Sequence, residues 1–505
     1  MSKSKELKIY NSFSREKEIF KPIHEGYVGL YVCGPTVYSD VHLGNCRTFI
    51  SFDVVFRYLS HLGYKVRYVR NITDVGHLEG DVDIGAEDKI SKKARLEQLE
   101  PMEIVQRYTN GFHEIMRILN TRPPSIEPRA TGHIIEQIEM VKAIIENGYG
   151  YEVNGSVYFD TMKFIGDHPG TYGRLSGRKV DELISESRSD LKNQGEKRHP
   201  SDFAIWIKAA DTHIMRWKSP WSEGFPGWHL ECSAMSTKYL GKHFDIHGGG
   251  NDLKFPHHEN EVAQNYGACN CGPANYWMHG NMLLMNGKKM SKSEGNSITP
   301  QELFTGENPH VSKGYSPMVV RFFMLQTHYR STLDLTDEAL QAAEKGYRRL
   351  LEANKYLQHC DHPGTETAGA LDEEVNALIQ QVQEEMNDDF NTPKALARLF
   401  ELVTKINSIK DGHIDIKEMQ AETLSRLQQN FRDYIFDVFG LQDEAQQVEE
   451  ENGIVEGLME LIIEVRQQAR ANKDWATSDK IRDALKEINI QLKDTKEGTS
   501  WTVGS

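Results

Sequence analysis

At 505 residues the chain has room for about three domains, at roughly 150 residues each, and for more than one buried core. Its 38% hydrophobic and 26% charged residues are ordinary for a globular protein, and no run of 18 apolar residues occurs, which argues against a membrane-spanning helix. A net charge of −15 argues against nonspecific adhesion to nucleic acid but leaves room for specific RNA binding, and the polar start with only six cysteines predicts a cytosolic protein without a disulfide scaffold.

The first strong element is Val28–Cys33, short, apolar and β-branched, which breaks at Gly34-Pro35 and predicts a buried strand entering a loop. Between Leu43 and Leu62 apolar residues recur at helical spacing, and Tyr64–Ile72 reads as a second strand. Strand, turn, helix, strand is a βαβ unit and predicts a Rossmann-type parallel sheet. A polar, glycine-containing loop follows near 75–87, to which no role is assigned, and then a long helical stretch to about Thr121.

Residues 130–221 mix short strands, glycine turns and a charged patch, and read as a connective insertion splitting the catalytic sheet domain into halves at 1–129 and 222–332. Helix formers dominate 333–441 and predict a helical bundle. The acidic, Gln-rich 442–455 reads as a linker before a small mixed α/β unit at 456–505 that contains Trp475 and Trp501. The predicted class is therefore α/β: a Rossmann-type catalytic domain split by an insertion, then a bundle, then a small C-terminal domain.

Two segments carry phosphate chemistry. The first, His42-Leu-Gly44-Asn45, opens the first helix, where His42 and Asn45 can donate hydrogen bonds to developing phosphate charge and Gly44 lets a nucleotide lie against the backbone. The second, Lys289-Met-Ser-Lys292-Ser293, is a basic loop between Gly287 and Gly295. Its Lys289 and Lys292 suit a departing pyrophosphate, with Mg2+ accompanying ATP. Either segment alone reads as a helix cap or a solvated basic loop; both in this order point to a split ATP site. On those residues the chain resembles the class I aminoacyl-tRNA synthetases, whose HIGH and KMSKS motifs they match. The departure is Asn45 in place of the last histidine of HIGH, which keeps a hydrogen-bond donor and excludes a proton-donating acid.

Cys33, Cys232, His257 and Glu261 could fill a tetrahedral zinc shell, the last two on one helix face after Pro256. Spacing alone leaves open two buried free cysteines and a polar helix face. The runs YVCGPTVY, PGWHLECSAM and HGGGNDLKFPHHENE, however, are similar to the cysteinyl-tRNA synthetase family. The resemblance implies that those four residues bind one zinc, which selects a cysteine thiolate over serine's hydroxyl and takes no part in the chemical step. It also implies that Thr73 and Trp228 contact the bound cysteine, although the residues by themselves favour a core indole for Trp228. His247 and Asp252 flank the Gly248-Gly-Gly250 turn and are assigned to ATP, with a core histidine and a turn-capping aspartate as alternatives. His258 and Glu259 are expected at the surface or behind the ligands, Cys269 and Cys271 as free thiols in a turn, and Cys46 and Cys360 without a role.

The segment Met386–Ala395 resembles the family's bundle, and Gln468–Asp479 with Asp494–Trp501 its anticodon-recognition domain, where exposed aromatics and arginines would stack on unpaired bases, with Trp475 equally open to a place in the core of that small unit. The resemblance implies ligation of L-cysteine to its cognate tRNA with ATP, by a monomer. Three rivals carry fewer of these features: transfer of cysteine to a small amine, a catalytically dead RNA-binding protein, and a simple nucleotidyltransferase.

Overall fold

The computed structural model describes residues 6–76, 89–178, 196–211, 213–290, 295–362, 364–495 and 498–503. The loop expected near 75–87 therefore lies largely outside the described residues, as do Lys292 and most of the charged patch of the insertion.

A four-stranded parallel sheet organises the catalytic part, in the spatial order Ala274–Gly280, Phe244–Gly250, Tyr27–Val32, Lys65–Arg70. The chain runs from Tyr27–Val32 to the neighbour on one side through the helix Leu43–His61, and later returns on the other side as Phe244–Gly250. That reversal creates a crevice at the carboxyl ends of the two middle strands, the usual place for a ligand in such sheets. The helix Leu43–His61 covers one face, while Leu230–Leu240 packs on the other and holds His257–Cys269 in turn. Gly248 lets that first helix come close, since a Cβ there would lie 2.2 Å from the Phe52 ring.

Between the halves a five-stranded antiparallel sheet runs in the order Gly150–Val153, Ser156–Phe159, Phe203–Lys208, Glu223–Pro226, Trp217–Lys218. The strand Glu223–Pro226 extends the insertion past the expected end at 221. The insertion's core of Val157, Phe159, Ile205 and Trp206 is continuous with Leu230, Ala234 and Ala263 from the helices behind the crevice.

The bundle comprises Asp337–Gln358, Ala370–Asn387, Thr392–Lys410 and Ala421–Arg432. It does not begin at 333: Leu333–Leu335 is a strand parallel to Leu283–Met285, its two leucines buried in the pairing. Bundle and catalytic sheet share one hydrophobic core, and residues up to Leu441 form one compact unit. Asp53, on the helix that opens with His42, joins them: it accepts from Arg57 Nε at 2.7 Å, from the Arg122 amide at 2.7 Å and from Arg321 Nη2. Arg321 in turn donates to the carbonyls of Leu119 and Phe439 at 2.8 and 2.7 Å.

Gln442–Ser505 forms a second compact unit of two helices, Glu444–Ala471 and Trp475–Glu487, and the antiparallel pair Ile490–Thr495 and Gly498–Val503. The expected linker is thus the start of a helix. Its Glu, Gln and Ala are strong helix formers, and Asp443 caps it by accepting from the Gln446 amide. Arg466 grips Asp494 through two bonds of 2.8 and 3.0 Å, and holds that carboxylate well below its usual range. Trp475 is 58% exposed, so it is not the core of this unit.

Candidate active site

A cavity of about 570 Å3 opens at the carboxyl ends of the parallel strands, lined by Cys33 and Gly34 from the first, Gly250 and Gly280 from two others, and the start of the helix Leu43–His61. Asn71 and Thr73 close one side, and Trp228, Glu231 and Cys232 the floor. Gly34 is obligatory, because a Cβ there would fall 1.6 Å from the Asn71 carbonyl oxygen.

His42 caps the helix Leu43–His61: its Nδ1 accepts from the Asn45 amide at 3.3 Å, while Asn45 Oδ1 accepts from the His42 amide at 3.4 Å. The helix cap is therefore present, and it is compatible with the phosphate reading. With Nδ1 accepting, the neutral ring carries its proton on Nε2, and Asn45, with Oδ1 accepting, offers Nδ2 as donor. Asparagine in place of histidine thus completes a reciprocal cap. Gly44 sits tightly against His42, where a Cβ would be 3.0 Å from Nδ1.

Across the cavity, Lys288–Lys289 pairs antiparallel with Leu284–Met285, and Lys289 lines the wall. Asn296 Nδ2 donates to the Lys289 carbonyl at 2.9 Å, holding the first residue of the basic segment. Asp252, exposed, also lines the cavity.

Beneath the cavity the structure brings Cys33, Cys232, His257 and Glu261 together, all buried, with donor atoms within 4.8 Å of one another. Cys33 Sγ is 3.6 Å from Cys232 Sγ and 3.7 Å from Glu261 Oε1, and His257 Nε2 is 3.3 Å from the same Oε1. A tetrahedral zinc with Zn–S of ~2.3 Å and Zn–N or Zn–O of ~2.05 Å has sulfur–sulfur edges near ~3.8 Å and nitrogen–oxygen edges near ~3.3 Å. The donors already stand at those spacings, so this cluster can hold a metal ion. His229 Nδ1, 3.0 Å from His257 Nδ1, fixes that ring so that Nε2 faces the other donors. Burial pushes both thiols up, Cys232 to about 12, which keeps them protonated until a cation compensates their charge.

Residues that the sequence left unassigned surround these. His258, expected at the surface or behind the ligands, is fully buried, with Nε2 3.3 Å from Cys33 Sγ and Nδ1 2.8 Å from His279 Nε2. Cys33, His247, His258 and Glu261 form a second metal-capable set overlapping the first. Burial, and then the neighbouring imidazoles, hold His258 well below the usual histidine range. Glu259 is buried too, its carboxyl pushed up to about 7 by burial against the lowering effect of the Gly173 and Ser176 amides. Glu231 accepts from the Thr73 hydroxyl, which also receives Asn71 Nδ2 at 3.1 Å. No pattern in the sequence marks Glu231 apart from its place beside Cys232.

His247, expected at the nucleotide, does not line the cavity. Its ring is fully buried and stacked on Trp277 at 4.3 Å between centroids, and its Nε2 lies 2.9 Å from Glu261 Oε2. It stands behind a metal-capable carboxylate, because strand alternation turns residue 247 toward the helix His257–Cys269. Trp228 is half-buried, 4.6 Å from the His257 ring between centroids, and lines the cavity beside Thr73. Cys269 and Cys271 are joined as a disulfide, so the expectation of free thiols does not hold.

Residues 19–345 match the family described as the class I (C) tRNA synthetase catalytic domain, and 381–442 match the DALR domain. The chain is 55% identical to the cysteine--tRNA ligase of Phocaeicola vulgatus over 98% of each chain. It is 48% identical to that of Chlorobaculum tepidum over 98% of this chain and 99% of the other. Among solved structures, the Mycobacterium tuberculosis methionyl-tRNA synthetase in complex with methionyl-adenylate shares the fold: TM-score 0.55, 15% identity, 82% of this chain and 89% of that one. The fold and crevice are those of a class I synthetase. Within that class, the chain belongs to the cysteine--tRNA ligase family.

Proposed function

We infer that this protein is a cysteine--tRNA ligase that works in two steps. A carboxylate oxygen of L-cysteine attacks the α-phosphorus of ATP, forming cysteinyl-adenylate and releasing pyrophosphate. A ribose hydroxyl of the 3′-terminal adenosine of tRNA then attacks the cysteinyl carbonyl, forming an ester and releasing AMP. The observation that carries this reading is the buried Cys33–Cys232–His257–Glu261 cluster at the floor of a cavity whose walls bear His42, Asn45 and Lys289.

In this reading His42 Nε2–H and Asn45 Nδ2–H donate to the α-phosphate as charge builds on it, and the helix N-terminus adds its dipole. Lys289 and Lys292 hold the leaving pyrophosphate, Gly44 gives the nucleotide room, Asp252 meets the nucleotide, and Mg2+ travels with ATP. Thr73 and Trp228 position the amino acid. Cys33, Cys232, His257 and Glu261 hold one zinc ion, which when bound supplies a soft Lewis acid that favours a thiolate over a hydroxyl. The C-terminal unit meets the tRNA, with exposed Trp475 as a stacking surface. The protein acts as a monomer in the cytoplasm; among the described residues no helix is long and apolar enough to cross a membrane.

The test is ATP–pyrophosphate exchange dependent on cysteine, followed by transfer to a tRNA transcript. Exchange with cysteine and not serine, and a charged tRNA, are expected. Absence of exchange, or an active small amine beside an inert tRNA, would contradict the reading.

A further inference from the structure

The bundle segment Met386–Ala395 has no part in the chemistry above, yet it holds a fully buried carboxylate, Asp389. Asp389 and Phe390 both have positive φ, +68° and +51°, at the break between the helices Ala370–Asn387 and Thr392–Lys410. Asp tolerates this backbone, while a phenylalanine there is strained, which points to a conformation fixed by its surroundings.

The carboxylate faces the catalytic part. Its Oδ1 accepts from the Tyr10 amide at 2.9 Å and from the Tyr329 hydroxyl at 2.8 Å, and its Oδ2 from Arg330 Nε at 2.7 Å. His328 Nε2 lies 3.1 Å from the Asp389 carbonyl oxygen. One acid thereby pins three consecutive residues of the turn after the helix Pro317–Leu325. The turn is bonded in turn to a cavity wall: the Asn281 amide donates to the Tyr329 carbonyl at 2.8 Å, and Asn281 Nδ2 to the Arg330 carbonyl at 2.9 Å. Asn281 and Met282 line the cavity, and Leu283–Met285 follows directly as the strand on which Lys288–Lys289 is paired.

The same turn meets the first ATP segment. Arg47, buried two residues beyond Asn45, donates through Nη1 to the carbonyls of Asn281, at 3.1 Å, and Met282. Through Nη2 it donates to those of His328, at 3.3 Å, and Ser331. The helix of His42 and the hairpin of Lys289 thus share one bracket, and Asp389 closes it from the bundle side.

We propose that Asp389 is a positioning residue for ATP: by fixing the His328–Ser331 turn against Asn281, it sets Lys289 at its working distance from His42 and Asn45. This rests on the reading that those residues handle ATP. The carboxylate touches no reacting atom; its effect passes through the turn and the hairpin. Neutralising it leaves Arg330 without its buried partner and frees the turn, so the protein's hold on the triphosphate weakens while its hold on the amino acid does not.

The experiment is pyrophosphate exchange by the full chain carrying Asp389→Asn, with Arg330→Gln as a second variant that breaks the same pin from the turn and spares the bundle. In each, the KM for ATP is expected to rise about tenfold while the KM for cysteine stays within about twofold, with cooperative melting retained. Unchanged constants in both variants, a parallel rise in both KM values, or a fall in rate that only follows the folded fraction would overturn the proposal and leave the ATP reading standing. Absence of exchange in the unaltered chain would overturn the ATP reading and this proposal with it.

Discussion

Cys232→Ala is expected to lower metal content from one equivalent per chain to near zero and to cut cysteine-dependent exchange by at least about a hundredfold. Losing a residue that merely orients a metal ligand costs about 10–100-fold, and losing a ligand costs more. Cys232 has no substitute at its vertex: it is 1% exposed, 3.6 Å from Cys33 Sγ, on the helix Leu230–Leu240 that packs against the sheet. The overlapping donor set of Cys33, His247, His258 and Glu261 lacks a second thiol, and His247 is already engaged with Glu261 Oε2. The matched control is Cys46→Ala, also fully buried but facing the hydrophobic core. It should cost some stability and leave metal content and selectivity intact. Metal analysis of both purified variants, beside exchange rates with cysteine and serine, checks this. A Cys232→Ala protein that keeps both its metal and its preference would remove Cys232 from the ligand set.

His42→Ala should lower kcat for exchange by roughly 10²–10³-fold, the range for removing one preorganised donor from developing charge, with metal content unchanged. The residue also caps a helix, and that loss alone costs about 1 kcal/mol of stability. The two effects separate by measurement, since the cap appears in thermal melting and the donor in kcat at a temperature where the chain is fully folded. Asn45→Ala removes the other half of the reciprocal cap and one amide donor, and is the natural partner for a double-mutant comparison. A fall of less than threefold in His42→Ala would leave the residue as a cap only.

Much of this was legible in the chain. Val28–Cys33 is a one-residue shift from the observed strand Tyr27–Val32, because apolar β-branched runs ending at Gly-Pro have few alternatives. The four metal-capable residues, spread from 33 to 261, are brought together by the fold, but spacing alone could not single them out; the resemblance did. What was not legible depends on distant partners. Within His257–Glu261 the sequence leaves His258 and Glu259 at the surface or behind the ligands, yet all five residues are buried, since His279, Tyr172 and the amides of Gly173 and Ser176 come from other elements to meet them. Leu333–Leu335 is three residues long and is a strand only because Leu283–Met285 lies beside it. The acidic 442–455 reads as a linker by charge, but its helix formers prevail over that charge. Arg47 and Asp389, 342 positions apart by their numbers, have no joint signature in the sequence and meet through one turn.

Selection of the substrate by its sulfur can be read at the buried cluster itself. The test loads the cluster with Co2+ and follows the near-ultraviolet thiolate-to-metal absorption as amino acids are added without ATP. Cysteine should increase that band by adding a third sulfur to the ion, while serine and alanine leave it unchanged. A spectrum indifferent to cysteine, or one that responds equally to serine, would rule out selection by sulfur at this cluster.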